Sequence, residues 1–346
     1  PGPGQQEPED AENRPRRAKR WRVLGVLGGI SLLALGTVWV QREQIADRII
    51  TGQLKTLDLP ATYKIESVGP RRQVLTNIVI GDPARPDMTI ERAEVFTEPT
   101  FGLPAVGRVK LVRPRIYGTY RNANASFGVL DKLLFAQSTR PPGLPDLDLE
   151  LVDGRARFDS DYGVIGIKAE GRGNLKDGFQ GIVAAVAPGL SAEGCTGRGL
   201  SLYGKVDTAQ GKAHFAGPLR GSSFACPQRG LTLAGVNAAL DVTSSAAFDG
   251  LSGKLGLTSG ALGWQGARAQ GLAGTSDFTL RPTGLTARYR IEGRGIASDA
   301  FGAARLLADG MVRSREGFAR LESEGTLEGS GIAPGKGLDA ALGGLV

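Results

Sequence analysis

The sequence predicts a mainly β protein in which one N-terminal transmembrane helix precedes a long antiparallel β-meander, curled into an elongated groove and interrupted by a few short helices. Three observations support this prediction. An apolar run near the N-terminus is long enough to cross a bilayer. Beyond residue 60, apolar and polar residues alternate between turn signals. Glycine, with 52 of 346 residues, is about twice as frequent as usual, which favours many turns, bulges and tight bends.

The transmembrane helix is predicted at residues 23–40. This run holds no charged residue and is about 18 residues long, enough to span the hydrocarbon core. Trp21 and Trp39 lie near its ends, and the arginines and lysines before it place the N-terminus in the cytoplasm. A cleaved signal peptide is the alternative, but no small-residue cleavage site follows the run. We therefore expect an uncleaved anchor, preceded by a disordered basic cytoplasmic tail at residues 1–22.

Residues 41–145 are predicted to form a membrane-proximal α+β segment. Apolar residues at spacings of three and four predict a helix over Arg42–Leu57, and Pro60 ends it. A second short helix is expected over Phe127–Ala136, with Ser126 as its N-cap. Alternating patterns between these helices predict strands at residues 62–68, 73–80, 89–97, 108–112 and 115–120.

Residues 146–346 are predicted to form a repetitive β-groove segment. The chain begins without Met and ends in a Gly-rich stretch, so we expect a piece of a longer protein in which this segment continues. One helical interruption is predicted over Ser298–Asp309. Pairs such as Asp-Gly supply the positive φ that tight hairpins need. Such turn signals occur at residues 153–154, 177–178, 210–211, 249–250, 283–284 and 316–317.

The two cysteines of the chain occupy equivalent positions of an internal repeat. The stretch from Cys195 to Gly204 recurs as the stretch from Cys226 to Gly235, with matching Arg-Gly-Leu segments. In a translocated segment a disulfide between them is the natural interpretation. Two buried thiols are the alternative.

No catalytic, metal-binding or cofactor-binding pattern stands out. His214 is the single histidine, and no Gly-x-Ser-x-Gly elbow accompanies it. Asp146, Asp148 and Glu150 share one face of a strand, which is typical of a solvated face. The net charge of +7 is modest and aromatic residues are 6% of the chain, which disfavours nucleic-acid binding. We expect a protein that is not an enzyme, with no cofactor, no metal and no nucleic-acid partner.

Several segments together resemble a known family. They are Leu111–Gly118, Ser126–Asp131, Leu144–Asp146, Val152–Phe158 and Tyr162-Gly163. These turn-and-strand patterns are similar to those of the AsmA-like proteins of diderm bacteria, in particular the YdbH-like intermembrane phospholipid transport proteins. The resemblance spans roughly residues 42–330 and implies a repeating β-groove of the bridge-like lipid transfer type. It also implies a single-pass bacterial inner-membrane protein with a periplasmic body.

The resemblance implies that the protein carries phospholipid between the inner and outer membranes through an apolar groove. Phospholipid acyl chains, the inner membrane and an outer-membrane-proximal lipoprotein or other envelope partner are then the expected partners. A structural or assembly factor of the envelope, such as a secretion-system or outer-membrane biogenesis component without lipid conduction, is the alternative. Strand alternation predicts that Lys168, Glu170, Arg288, Arg290 and Glu292 face away from the groove, and Gly235 is expected to mark a bulge that resets the alternation. The predicted groove residues are Ile165, Ile167, Leu200, Leu202, Leu231, Leu233, Leu255, Leu257, Phe278, Leu280, Tyr289 and Ile291.

Overall fold

A computed structural model describes residues 60–69, 71–98, 105–122, 124–134, 143–315 and 319–335. The transmembrane helix predicted at residues 23–40 and the helix predicted at residues 42–57 lie outside these residues. Within the described part of the chain, no helix is both long enough and apolar enough to cross a membrane.

The described residues form mainly β-strands, which confirms the mainly β part of the predicted fold class, and all of these strands belong to one 19-stranded sheet. A short 3₁₀ turn at Gly128–Leu130 leads into helix α1 at Asp131–Leu134, and a second 3₁₀ turn occupies Pro227–Arg229. The strands are β1 (Ala61–Val68), β2 (Arg72–Asp82), β3 (Arg85–Glu98), β4 (Ala105–Val112), β5 (Arg115–Arg121), β6 (Asn124–Ser126), β7 (Asp148–Ser160), β8 (Gly163–Asn174), β9 (Gln180–Ala192), β10 (Cys195–Ala209), β11 (Lys212–Cys226), β12 (Leu231–Ser244), β13 (Leu251–Ser259), β14 (Leu262–Trp264), β15 (Ala267–Ala269), β16 (Gly271–Arg281), β17 (Gly284–Ala297), β18 (Phe301–Arg315) and β19 (Arg320–Pro334).

The sheet is an antiparallel meander with two departures from simple succession. Strand β7 runs parallel to both β4 and β5, and joins the first strands to the rest of the sheet. Strand β13 pairs with β16, and the intervening strands β14 and β15 form a small hairpin. This hairpin pairs with the first residues of β12 and reaches β17 at its other side. The meander was predicted, whereas the parallel junction at β7 was not.

Most predicted turn signals in the described part of the chain lie at hairpins, and the signal at residues 316–317 lies outside it. Gln210 and Gly211 have φ of 54° and 76° and connect β10 to β11, as a two-residue hairpin with positive φ requires. The signal at Asp153-Gly154 was interpreted wrongly, because β7 continues through it. Asp153 has φ 48°, and the pairing of β7 with β8 shifts between Leu151 and Gly154, so these residues form a bulge inside one strand.

The helix predicted at Ser298–Asp309 is also wrong, because these residues enter strand β18. Leu306, Ala308 and Val312 alternate with Leu307, Asp309 and Met311 and pair with β17 on one side and β19 on the other. Ser298 does not cap a helix. Its hydroxyl accepts a hydrogen bond from the Phe301 N–H at 3.1 Å and closes the turn that leads into the strand. The apolar residues of this segment follow the two-residue period of a strand, and not the period near four on which the helix prediction was based.

The helix predicted at Phe127–Ala136 is helical over its described part. The N-cap residue is Phe127 and not Ser126 as predicted, although the Ser126 hydroxyl accepts a hydrogen bond from the Gly128 N–H at 3.2 Å. The Asp131 carboxylate accepts hydrogen bonds from the Ser126 hydroxyl and the Phe127 N–H, both at 2.6 Å. These contacts fix the start of the helical segment next to the sheet.

Left-handed glycines interrupt several long strands at matching positions. Gly199, Gly235, Gly295 and Gly331 have φ of 60°, 60°, 58° and 62°. The alternation of faces changes phase at these glycines, as expected at Gly235. The pairing register continues through them unshifted, so they are kinks shared by neighbouring strands and not the bulge predicted for Gly235. In register, Gly199 lies beside Ser222, which lies beside Gly235, so the kinks of neighbouring strands line up. We call this row the bend line.

The kinks bring side chains three residues apart onto the same side of the strand. In a regular strand, residues i and i+3 point to opposite faces. Here a Cβ placed on Gly197 would lie 3.2 Å from the Leu200 Cδ1, and a Cβ on Gly293 would lie 3.3 Å from the Ile296 Cδ1. Each of these pairs therefore lies on one face of its strand.

Gly235→Ala tests whether the bend line needs left-handed backbone. A side chain at φ 60° is disfavoured by about 1 kcal/mol or more, although the space beyond Gly235 is nearly free of contacts. We expect a lower urea midpoint for unfolding. Gly256→Ala is the matched control, because its φ is ordinary and its new Cβ would meet only the Ala239 Cβ at 3.7 Å. Equal midpoints for the two variants would contradict the role given to the bend line.

Candidate functional site

Cross-strand pairing defines which side chains share a face of the sheet. Directly paired residues point to the same side. Starting from Ile167 in β8, the pairing leads through every strand that follows in the sheet to Leu327 in β19. The row is Ile167, Ala185, Leu202, Leu219, Ala238, Leu257, Gly274, Ile291, Ala308 and Leu327.

The same row continues to the first strands. Ile167 pairs with Ala156 in β7, which pairs with Ile116 in β5, and Ile116 pairs with Met88 in β3. Met88 pairs with Ile80 in β2. Every member of the row from Ile80 to Leu327 is apolar or glycine. We call the side of the sheet that carries this row the apolar face.

The register places all the predicted groove residues on the apolar face. In the described strands from β8 to β19, the residues that share this face include no charged side chain. The side chains expected on the other face, Lys168, Glu170, Arg288, Arg290 and Glu292, do lie there. The residues brought together are Ile165, Ile167, Leu200, Leu202, Leu231, Leu233, Leu255, Leu257, Phe278, Leu280, Tyr289 and Ile291.

The predicted groove residues are half-buried, and none of them is fully buried. Small residues of the same face are buried, such as Ala187 and Ala303, each with 5% exposure. Packing between neighbouring strands covers a small side chain, whereas a Leu or Ile that rises above it keeps one side uncovered. A closed core would bury its large apolar side chains fully. The apolar face from β8 onward therefore offers apolar surface to a ligand.

The first strands present a different picture, because the same face is closed there. Ile78 and Ile90 are 8% and 7% exposed and form a core cluster. The 3₁₀ turn with Leu130, itself 8% exposed, contacts β2 and β3. The ring of Phe127 stands edge-on to Phe158, with centroids 5.4 Å apart. The apolar face is thus covered at β2 and β3 and partly open from β8.

Aromatic rings lie over mid-strand glycines on the apolar face. A Cβ on Gly118 would come 2.7 Å from the Phe158 ring, and one on Gly204 would come 2.6 Å from the Phe215 ring. Glycine leaves room for the ring to lie flat on the neighbouring strand. This accounts for part of the glycine content that sequence reasoning had assigned to turns, bulges and bends, and pairs of Phe with Gly at cross-strand spacing were the missed signal.

The predicted disulfide is present and lies on the apolar face. The sulfur atoms of Cys195 and Cys226 are 2.06 Å apart and the Cα atoms are 4.1 Å apart. Cys226 pairs with Leu231, which pairs with Trp264. The repeat is only partly structural, because Cys195 begins a strand whereas Cys226 ends one. The bridge holds β10 and β11 together beyond the bend line.

The opposite face carries ion pairs. The Arg115 guanidinium donates to the Asp153 carboxylate at 3.2 Å and to the Asp153 backbone carbonyl at 2.7 Å, and Lys168 lies 3.6 Å from that carboxylate. The hydrogen bond from Arg115, with the charges of Arg155 and Lys168, holds the pKa of Asp153 below its ordinary value. The charged face has an apolar exception at Tyr117, Val186 and Tyr203, which are 43%, 55% and 56% exposed.

A depression of about 770 Å³ also lies on the charged face. Glu150, Glu170, Arg172, Lys205 and Asp207 are among its lining residues. Placing an acyl chain there would remove charged groups from water, which is unfavourable. The depression on the charged face is therefore poorly suited to an apolar ligand.

His214 lies on the charged face between two carboxylates. Its Nδ1 is 2.9 Å from Asp207 Oδ1, and its Nε2 is 3.0 Å from Asp241 Oδ1. The hydrogen bond with Asp207, followed by that with Asp241, raises the pKa of His214 above its ordinary value. Both ring nitrogens contact carboxylates, so the imidazole serves to link neighbouring strands. Within the described ranges, no group of three or more His, Cys, Asp or Glu side chains could hold a metal ion.

These features define a class of protein: a long single-sheet β protein with one continuous apolar face and one charged face. The family model described as "YdbH-like: Intermembrane phospholipid transport protein YdbH" matches residues 30–336. The chain belongs to the YdbH-like family, which confirms the resemblance seen in the sequence. Neither a search of the curated proteins nor a search of the solved structures finds a match.

The single histidine makes the His214 pKa directly measurable. We expect an NMR titration of untagged protein to give a pKa above 6.5. Because the folded-state pKa is raised, these ion pairs stabilise the protein fully below about pH 6.5, the unfolded value, and the contribution is lost as pH rises through the folded-state pKa.

Asp207→Asn should lower the His214 pKa, and His214→Gln should remove this part of the pH dependence of stability. A measured pKa of 6.5 or lower in the unsubstituted protein would contradict the ion-paired arrangement.

Proposed function

We propose that this protein is anchored in the bacterial inner membrane, with its N-terminus in the cytoplasm and its body in the periplasm, and carries phospholipid between the inner and outer membranes along the apolar face. Membership of the YdbH-like family supports intermembrane phospholipid transport in general. The observation that carries the finer proposal is the unbroken apolar row from Ile80 to Leu327. The basic cluster before residue 23 and the disulfide support the orientation and the oxidising compartment.

The apolar face lowers the main barrier to moving a lipid through water. Exposing acyl chains to water costs about 0.8 kcal/mol per CH₂, or roughly 12 kcal/mol for a sixteen-carbon chain. Between Ile167 and Leu327, nine strand spacings of about 4.8 Å give an apolar path of roughly 43 Å before curvature. Kinks at Gly199 and Gly295 that turn toward this face would bring its two sides together around an acyl chain. A sheet bent in this way would form the groove expected from the sequence.

The composition of the face favours sliding over tight binding. Leu, Ile, Ala and Gly side chains give nearly uniform apolar contact, with only scattered hydroxyls such as Ser276 and Ser314. A charged group on the path would have to be desolvated each time a chain passed it. A uniform apolar surface has no such barrier, so a lipid can move from strand to strand without specific chemistry.

The apolar face is closed at the first strands, and this limits where a lipid can enter the path. Ile78, Ile90 and Leu130 are buried there, so acyl chains cannot occupy that part of the face without displacing the 3₁₀ turn. Lipid would therefore join the path at β7 or β8, where Phe158 and Ile165 are half-buried.

An envelope assembly factor is the second candidate. The observation that favours it is the exposed apolar group on the charged face, Tyr117, Val186 and Tyr203, which suits contact with another protein. An assembly factor of this kind would use the charged face to bind its partner, and its function would survive a charged substitution on the apolar face.

Leu257→Asp tests the lipid path. Leu257 is half-buried on the apolar face between Ala238 and Gly274. A partly open face can solvate the carboxylate, so we expect nearly unchanged thermal melting, together with loss of most phospholipid that co-purifies with the full chain, as measured by mass spectrometry. Leu233→Asp, at a predicted groove residue on the other side of the bend line, should behave in the same way.

The matched control is Thr258→Asp, which places the same charge one residue further along, on the exposed charged face. It should retain the lipid. Loss of folding in Leu257→Asp would indicate a closed core, and unchanged lipid in both variants would favour the assembly factor.

A further inference from the structure

We propose that a cup at one rim of the apolar face binds the headgroup end of a zwitterionic phospholipid, with Arg281 contacting the phosphate, Asp249 facing the ammonium group and Phe248 covering the first part of the acyl chains. This inference rests on the proposed function and adds a headgroup site to it.

The cup lies between the β12–β13 loop and the turn from β16 to β17. Its volume is about 480 Å³, within the range of small-molecule sites. Leu251 and Leu280 form its apolar floor, and both belong to the apolar face because Ser244 pairs with Leu251 and Leu251 pairs with Leu280. The cup is therefore continuous with the acyl-chain path and lies where that path meets water.

Phe248 is held in an unfavourable state. Its φ of 57° is in the left-handed region, which an aromatic residue rarely adopts, and its side chain is 48% exposed. Both features cost free energy, and strained backbone of this kind persists mainly where function requires it. The ring lines the cup, so it can cover an apolar ligand.

The loop that carries Phe248 is ordered by its own hydrogen bonds. The Ser245 N–H donates to the Gly250 carbonyl at 2.8 Å, and the Phe248 N–H donates to the Ser245 carbonyl at 3.2 Å. The Ser245 hydroxyl donates to Asp249 Oδ1 at 2.5 Å and accepts from the Asp249 N–H at 3.0 Å. The position of Phe248 is thus built into the loop.

The surface of the cup is almost entirely apolar, and the two charged residues that line it, Asp249 and Arg281, match a headgroup with both signs. Arg281 is exposed, and within the described part of the chain it has no carboxylate partner at ion-pair distance. A Cβ on Gly250 would lie 3.6 Å from the Arg281 Cγ, so the arginine stem runs beside the loop. Guanidinium groups bind phosphate through paired hydrogen bonds. The Asp249 carboxylate lines the same cup and complements an ammonium group.

The site can be tested with the full chain and three lipids that share the same acyl chains. The lipids are a phosphatidylethanolamine, a phosphatidylglycerol and a diacylglycerol, each competing with a fluorescent fatty-acid probe. We expect the phosphatidylethanolamine to compete about tenfold better than the diacylglycerol, because one charge-assisted contact is worth about that factor. Arg281→Gln should abolish this preference, and Asp249→Asn should abolish the preference for phosphatidylethanolamine over phosphatidylglycerol.

Arg288→Gln is the matched control. Arg288 is an exposed arginine of the charged face and should leave both preferences unchanged. If Arg281→Gln keeps the wild-type preference while Leu257→Asp loses lipid, the headgroup site is wrong and the lipid path stands. If the unsubstituted protein binds none of the three lipids, the proposed function itself fails.

Phe248→Gly separates ligand contact from a structural role. Glycine adopts φ 57° without strain, so the melting temperature should stay the same or rise, while affinity for the phosphatidylethanolamine falls severalfold. A lower melting temperature with unchanged lipid affinity would show that Phe248 only supports the loop, and would overturn its part in the site.

Discussion

The structure depends on unbroken two-residue alternation carried in register across the whole sheet. One slipped strand would transfer its apolar side chains to the charged face and interrupt the row from Ile80 to Leu327. The register is held by extensive antiparallel pairing, by positive-φ turns such as Gln210-Gly211, and by the disulfide between β10 and β11. The apolar face is continuous because these local constraints keep every strand in register.

The glycines reconcile long strands with a face that bends. Strands as long as β10 and β17 would stay nearly straight without interruption, whereas the left-handed backbone of Gly199 and Gly295 kinks the strand at the bend line. The kink also resets the alternation, so that Leu233 and Val236 stay on one face. Other glycines, such as Gly118 and Gly204, make room for aromatic rings. Glycine thus has two roles on the apolar face: it allows the strands to kink, and it makes room for aromatic rings.

Much of the fold and of the candidate site could be predicted from the sequence, because alternation is a local property. The strands, the face shared by Ile167 and Leu257, the reset at Gly235 and the disulfide all follow from spacing within short segments. The strand at Ser298–Asp309 was missed because Leu306 and Leu307 are adjacent apolar residues and fit either period. The parallel pairing of β7 with β4 and β5 depends on contacts distant in sequence, which no local pattern reports. The headgroup cup was missed for the same reason, since Phe248 and Arg281 meet only through the pairing of β13 with β16.

The most direct test of the two-faced sheet is photocrosslinking to lipid in cells, with a photoreactive phenylalanine placed at each position from Leu231 to Leu240 in turn. The account predicts lipid adducts at Leu231, Leu233, Val236, Ala238 and Leu240, with the phase changing at Gly235, and none at the intervening residues. Adducts at intervening positions such as Asn237 and Ala239, or a period of two that passes through Gly235 without a reset, would contradict it.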